Sequence, residues 1–395
     1  MKKTAMLIVL SIWLIMCVLA QNKSSEDCFN KAMTLKSEGK YDESTKWMDQ
    51  FCKLKPADLR AKDYEANGKD LPNLLKDHGN YKIEHLSINT KASDFGTSFY
   101  KNKIVFASTR TNFRMRKRNL YVSQVDGDQL KSPQLFDKRW NGKLHDGPAS
   151  FSNKGAIIAF TTNYSKNKGN PDKLQIFFST DIDGKWSEPE PFFLNNENYS
   201  VGHPCLTEDG KTMYFMSDMP GGFGKADLYK ITRKEKGGWG KPENLGAKIN
   251  TEGDEMYPFF EEKNNILFFS SNGRFGLGGL DIFVYAINDS GFGRPYNVGS
   301  PLNTQYDDCA VVVDSKVSLG YFTSNRKGGK GDYDIYSVKF GDPNVLFSVT
   351  PPANIPAERK MRETFPLCNY LSFNKESAQK CVNNVIISHK CVKFL

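Results

Sequence analysis

Five apolar triplets recur along the chain: Ile104-Val105-Phe106, Ile158-Ala159-Phe160, Met213-Tyr214-Phe215, Leu267-Phe268-Phe269 and Gly320-Tyr321-Phe322. Their final Phe residues stand 54, 55, 54 and 53 positions apart. A fixed step of this size means one supersecondary unit copied five times, and it restricts the fold more than any composition statistic does. Two residues beyond each Phe comes a hydroxyl, at Ser108, Thr162, Ser217, Ser271 and Ser324. A further strand-sized segment starts at Asn119, Lys173, Asp227, Asp281 and Asp334, followed by Leu120, Leu174, Leu228, Ile282 and Ile335.

Between these segments the last three units hold Gly222, Gly276 and Gly329, with Gly224, Gly278 and Gly331 two residues on. Glycines there are expected to supply the positive φ of a tight loop between adjacent strands. Ser217, Asp227, Ser271, Asp281, Ser324 and Asp334 are accordingly assigned structural roles in the repeat. Each unit closes on a Pro-to-Asn-Thr segment, as in Pro242 to Asn250-Thr251 and Pro295 to Asn303-Thr304, and Pro suits an outer edge strand.

Four strands per unit is the content of one propeller blade, so residues 81–340 are expected to form a mainly β, five-bladed β-propeller. The fifth unit stops near Phe340 without its Asn-Thr segment, which stands instead at Leu86-Ser87-Ile88-Asn89-Thr90. The N-terminal strand should therefore complete the last blade and remove the exposed sheet edge.

Ahead of the repeats, Glu26 to Pro56 reads as helix, Gly39-Lys40-Tyr41 turn, helix. Residues 21–80 are thus expected to form an α-helical domain in which this hairpin docks on residues 58–78 or on the body. Cys28 lies eleven residues before Gly39 and Cys52 eleven after Tyr41, so an antiparallel hairpin brings them level. A Cys28–Cys52 disulfide and a pair of buried thiols both fit that spacing.

Lys2 and Lys3 precede an uncharged run from Ala5 to a Val18-Leu19-Ala20 cleavage site, so residues 1–20 read as a secretory signal. Leu14-Ile15-Met16-Cys17 leaves a lipoprotein signal as the rival. No later run reaches the roughly 18 apolar residues of a spanning helix. Loss of Cys17 leaves seven of the eight cysteines, an odd number in a compartment that permits disulfides. The formal charge of +9 drops by two with Lys2 and Lys3, a balance that favours anionic partners weakly.

The units Ser217-Asp218 through Asp227-Leu228-Tyr229, Ser271-Asn272 through Asp281-Ile282-Phe283 and Ser324-Asn325 through Asp334-Ile335-Tyr336 resemble WD-type propeller repeats of the TolB kind. Ala32, Gly39, Tyr41, Ser44 and Pro56 resemble one tetratricopeptide repeat (TPR). Behind a signal peptide, this domain order resembles OmpA-family envelope proteins, including PorE-like components of type IX secretion. The resemblance implies a periplasmic protein associated with the outer membrane, with envelope proteins as partners. Thr350-Pro351-Pro352 through Pro366-Leu367 resembles the lead-in to the family's peptidoglycan-binding domain, but only 22 residues follow Phe373. Residues 341–395 are therefore read as a linker and a truncated, disordered tail, and peptidoglycan binding is not carried over.

The sequence holds no G-x-S-x-G elbow, no H-E-x-x-H, no C-x-x-C and no phosphate-binding glycine loop. Ser179 through Asp183-Gly184-Lys185-Trp186 nearly spells a sialidase-type Asp box, and reads as a hairpin turn. Cys381, His389 and Cys391 fit no standard zinc spacing. No enzyme activity, cofactor, metal or nucleic-acid partner is expected.

Two clusters remain as candidates. Arg110, Arg114, Arg116, Lys117 and Arg118 fill the first unit's inter-strand loop and suit either a solvated loop or an anion site. Asp94, Asp146, His203, Asp254, Asp307 and Asp308 lead into the innermost strands and suit either a channel-mouth ligand site or staples between blades. The function expected is a binding scaffold that recruits one partner through the hairpin and another through the propeller; the alternative is a glycan-binding or glycan-processing propeller.

Overall fold

In this computed structural model the described residues are 24–110, 118–127, 129–140, 146–163, 173–287 and 294–340. The signal segment 1–20 and the tail 341–395 lie outside them. The described residues form a five-bladed β-propeller with helices at its N-terminal side. Blade 1 comprises Asp94–Tyr100, Lys103–Ser108, Asn119–Asp126 and Gln129–Leu135, running from the axis outward. Blade 2 comprises Asp146–Ser152, Ile157–Thr162, Gln175–Ile182 and Glu190–Pro191. Blade 3 comprises Val201–Leu206, Thr212–Ser217, Asp227–Thr232 and Glu243–Asn244. Blade 4 comprises Glu255–Glu261, Ile266–Ser271, Asp281–Ala286 and Tyr296–Asn297.

Blade 5 comprises Asp308–Asp314, Leu319–Ser324 and Asp334–Phe340, and its outer strand is the N-terminal Tyr81–His85, antiparallel to Asp334–Phe340 with Tyr81 opposite Phe340. Ring closure by the N-terminal strand thus holds. The strand itself lies just before the Asn-Thr segment, which forms the loop leading into blade 1.

The Phe column is the reason the units repeat. Phe106, Phe160, Phe215, Phe269 and Phe322 are all fully buried. Each meets an aromatic ring of the third strand, Tyr121, Phe177, Tyr229, Phe283 or Tyr336, at 5.5–6.4 Å between centroids. Large rings on consecutive blades fill the wedge-shaped gaps that flat sheets arranged radially would leave.

The glycine columns have a different cause from the one expected. None of Gly222, Gly224, Gly276, Gly278, Gly329 and Gly331 has a positive φ. A Cβ at Gly222, Gly276 or Gly329 would overlap the carboxylate of Asp227, Asp281 or Asp334. One at Gly224, Gly278 or Gly331 would overlap the backbone carbonyl of Thr251, Tyr306 or Ala92. Each Asp gathers backbone N–H groups of its own loop, as when Phe223 and Gly224 donate to Asp227, and the loop can wrap the carboxylate so closely only without a Cβ. The Asp183-Gly184 turn does need positive φ, with +53° and +81°, and forms the hairpin expected there.

Blade 2 also shifts the repeat alignment. Thr162 pairs with Gln175, as Ser217 pairs with Asp227, so Ile176 rather than Leu174 occupies the column of Leu120, Leu228, Ile282 and Ile335. Lys173 lies two residues ahead of the strand's first residue, because this blade's loop is two residues longer than that of blade 1 and three longer than those of blades 3 to 5.

The helices are α1 (Ser25–Ser37), α2 (Tyr41–Leu54), α3 (Leu59–Asn67) and α4 (Leu71–Leu75). Ser24 caps α1 in a box with Asp27, and Ser44 donates its hydroxyl to the Ala32 carbonyl at 2.8 Å, drawing α1 and α2 together. Arg60 of α3 is buried, bridging Glu26 and Asp58 and lying 4.2 Å from the Phe29 ring centroid. Cys28 and Cys52 share this core but are not bonded, which corrects the disulfide expectation. The antiparallel pairing brings them level, yet Cys28 Sγ faces Gln50 Oε1 while Cys52 Sγ faces the Ala61 carbonyl of α3.

The helices dock on loops of blades 3 to 5. Glu252 accepts from the Leu59 amide at the start of α3, where the helix dipole favours an anion. Asp63 takes Arg274 Nη1 at 3.2 Å and the Phe275 amide at 2.7 Å, and Tyr41 donates its hydroxyl to the Leu277 carbonyl. Among the described residues no helix is long and apolar enough to cross a membrane.

Candidate functional site

The innermost strands surround the axis, and each breaks register by a β-bulge at its third residue: Gly96, Pro148, His203, Tyr257 or Ala310. Four of these five have φ between +50° and +66°; Pro148, whose ring fixes φ near −65°, is the exception. The bulge turns an amide toward the neighbouring blade. Gly96, His203 and Ala310 donate to Thr323, Thr161 and Ser270, each lying one residue before the hydroxyl column. Where the bulge residue is Pro148 and has no N–H, the corresponding neighbour is Ala107.

Two cavities open along the axis. One, about 610 Å³, is lined by the inner strands of all five blades and reaches Lys101, Lys154 and Lys263 at its mouth. The other, about 620 Å³, is lined by Phe95, Thr109, Arg118, Cys309, Thr323 and Tyr333 among others. Tyr257 borders both, stacked on His203 at 3.9 Å between centroids and 12° between planes, so this pair marks the waist. Burial, aided by the Arg118 charge, pushes the His203 imidazole down to about 3, so it is neutral. Its Nδ1 and the Thr97 hydroxyl are buried beside the first cavity without a hydrogen-bond partner among the described residues.

The acids expected at the channel mouth divide into two groups. Asp94 is fully buried and accepts from Thr90 N and Oγ1, from Ser108 Oγ, and from Arg110 Nη2 at 2.7 Å. Asp308 is held alike by Thr304 and by Arg326, the latter at 2.6 Å. In blade 4 the same place belongs to Glu255, which accepts from Thr251 and Ser271 and which burial pushes up to about 7. The sequence pattern pointed to Asp254 instead. A count of sixteen residues back from Ser271, Ser324 and Thr162 finds Glu255 beside Asp308 and Asp146.

Asp254 and Asp307 sit one residue earlier and bind Asn272 and Asn325. His203 sits two residues past the blade 3 position, which is Val201. Asp94, Glu255 and Asp308 tie the loop entering a blade to that blade, and none of these acids lines either cavity. The preceding Asn plays the complementary part. Asn89, Asn195, Asn250 and Asn303 each clip both the N–H and the C=O of Ile335, Ile176, Leu228 or Ile282. In the Asn-Thr pair, Asn therefore holds the blade just completed and Thr the blade about to begin.

The basic cluster divides as well. Arg110 belongs to the staple: it pairs with Asp94, stacks over Phe106 and Tyr121, and donates to the Ile88 carbonyl, as Arg326 does in blade 5. Its guanidinium is therefore committed to the fold through Nε and Nη2. Arg114, Arg116 and Lys117 lie outside the described residues. Arg118 faces the second cavity. Cys205 and Cys309 are buried free thiols, Cys205 pushed up to about 12 by burial.

No protein-family model matches the chain, and no curated protein sequence matches it. Solved structures do resemble it. A putative TolB from Agrobacterium tumefaciens is 13% identical, with a TM-score of 0.40 over 67% of this chain and 99% of that one. An endo-arabinase from Bacteroides thetaiotaomicron is 12% identical, with a TM-score of 0.46 over 65% and 96%. A puromycin-hydrolysing peptidase from Mycobacterium tuberculosis is 14% identical, with a TM-score of 0.36, and this chain spans 35% of its length. At these identities the likeness carries nothing about activity.

Proposed function

We propose that the chain is a binding scaffold of the periplasm, directed there by residues 1–20 and associated with the outer membrane, whose partners are envelope proteins. The domain order, a TPR-like hairpin ahead of a TolB-like ring, supports placing it among OmpA-family, PorE-like proteins of a secretion or envelope complex. Residues 21–80 act as the helical domain, 81–340 as the ring and 341–395 as its tail.

The observation that carries the reading is where the repeated polar groups go. Asp94, Glu255 and Asp308, with their Thr, Ser and Arg partners, are consumed in fastening each blade to the loop that enters it from the one before. A closed ring braced in this way offers rigid loop surfaces at low ordering cost, which suits recognition of proteins. The helices supply less free surface than a lone hairpin would, since α2 and α3 are tied to the ring through Tyr41, Asp63 and Glu252. Partners are therefore met by helices and loops as one composite platform.

In-cell crosslinking with mass spectrometry on the native envelope tests this. Reproducible crosslinks from α1–α3 and the blade loops to the same envelope protein are expected. Turnover of a sialoside or glycan panel by the purified protein, or an absence of stable crosslinks, would overturn the reading.

A further inference from the structure

One charge in the ring has no part in holding it together. At the residue before each third strand, Arg118, Leu174, Ala226, Leu280 and Tyr333 share one backbone role. Each lends its carbonyl to the first inner-strand amide of the next blade, that of Asp146, Val201, Glu255, Asp308 or Asp94, at 2.6–3.2 Å. The fold asks only for a carbonyl at this position, and four of the five side chains there are uncharged. Arg118 is the exception. Its guanidinium carbon stands 5.8 Å from the Phe95 ring centroid, on the wall of the 620 Å³ cavity. Among the described residues it makes no ion pair.

The rest of the lining is rich in donors. Thr109 Oγ1 accepts from the Ser93 amide, and Thr323 Oγ1 accepts from the Gly96 amide, so each hydroxyl keeps its proton to donate. Tyr257 lies at the floor. Lys91 and Asp332 are both exposed at the rim, where solvent screens them and they offset each other. Tyr333 already donates to Asp307 at 2.7 Å. The inner wall therefore presents one planar cation and two hydroxyl donors, with no carboxylate between them.

The geometry points to an oxyanion site: we infer that this cavity takes a small ligand bearing a carboxylate or phosphate, gripped by the Arg118 fork with Thr109 and Thr323 donating beside it. A cavity of this volume accommodates a ligand the size of a monosaccharide acid. The Arg118 charge has already left its mark on the site, since it helps keep His203 neutral at the waist. The site stands apart from the scaffold reading, because it needs no protein partner and protein partners need not touch it.

Calorimetric titration of the full chain with inorganic phosphate, glucuronate and glucose at low salt tests the inference. Saturable binding of phosphate or glucuronate, weakened by salt, with no binding of glucose, is expected; which anion binds assigns the ligand as phosphate or carboxylate. Arg118→Gln should weaken it by at least roughly tenfold and Thr109→Val by a few fold, while Lys154→Gln in the opposite cavity changes nothing. Arg118→Lys keeps the charge but loses the fork, and should bind with intermediate affinity if the glutamine variant does not fold. Failure of both anions to saturate, equal binding of glucose and glucuronate, or undiminished binding by a folded Arg118→Gln protein would each overturn the proposal. Crosslinks to envelope partners should survive Arg118→Gln, so the two readings can fail separately.

Discussion

Blades 1 and 5 carry the whole junction of acid, hydroxyl and arginine, whereas blade 2 keeps the acid but not its hydroxyl and arginine partners, leaving it the Leu120 amide. Asp94 receives four donated hydrogen bonds. Asp146 occupies the matching position opposite Thr162, yet its Oδ1 and the Thr162 hydroxyl are both buried without partners among the described residues. The difference teaches that repetition of a residue type is not repetition of its energetics. A carboxylate surrounded by donors braces the ring, and the same carboxylate without them is a burden that its neighbours must carry.

The largest effect should come from breaking the complete junction. Asp94→Ala strands the partly buried Arg110 and should lower unfolding free energy by about 3 kcal/mol in denaturant titrations. Next, and opposite in sign, is Asp146→Asn. Burial pushes Asp146 up to about 7, so the native state holds a proton that the unfolded chain releases in the ordinary carboxylate range. Its contribution is intact below that range and is lost as pH rises through the window up to 7. The asparagine variant should therefore match the parent at pH 3.5 and exceed it by roughly 2–4 kcal/mol at pH 8. A variant less stable than the parent at pH 8 would show that the Leu120 amide alone outweighs the cost of burying the Asp146 charge.

Smaller effects test what the blades share. Asn303→Ala in blade 4 and Asn195→Ala in blade 2 each strand one backbone N–H, and each should cost about 1–3 kcal/mol by thermal or chemical unfolding. Unequal costs would mean that the weakness of blade 2 extends beyond its acid. The smallest change is expected from Lys173→Met, which removes a half-exposed ion pair to Asp218 at 2.7 Å linking blades 2 and 3. A loss of less than about 1 kcal/mol, shrinking with salt, is expected there.

The same contrast explains what can be read in the sequence. The Phe, hydroxyl and Asn-Thr columns are legible because burial against a neighbouring blade imposes the same residue at the same step in most units. Registers inside a unit are less so. The bulges at His203 and Tyr257 leave no mark on spacing, so His203 and Asp254 fall by sequence into a column that belongs to Val201 and Glu255. The two-residue insertion of blade 2 hides Ile176 behind Leu174. Side-chain direction is not legible at all: Cys28 and Cys52 are level but turned to different partners, and Arg110 and Arg118 sit eight positions apart with one spent on the fold and the other facing a cavity. Arg118 becomes conspicuous only once five carbonyls are seen in one shared role.

Closure of the ring has a temporal side. Tyr81 of the outer strand is paired with Phe340, so the first strand of the propeller waits for nearly the last one before either has its full set of hydrogen bonds. Contacts separated so far along a chain form late and slowly. The protein therefore behaves as a clasp that snaps shut only once Phe340 has been made. Until the far end arrives, the strand Tyr81–His85 has no sheet to join, and whatever keeps its bare edges from pairing with another chain decides the yield of folded ring.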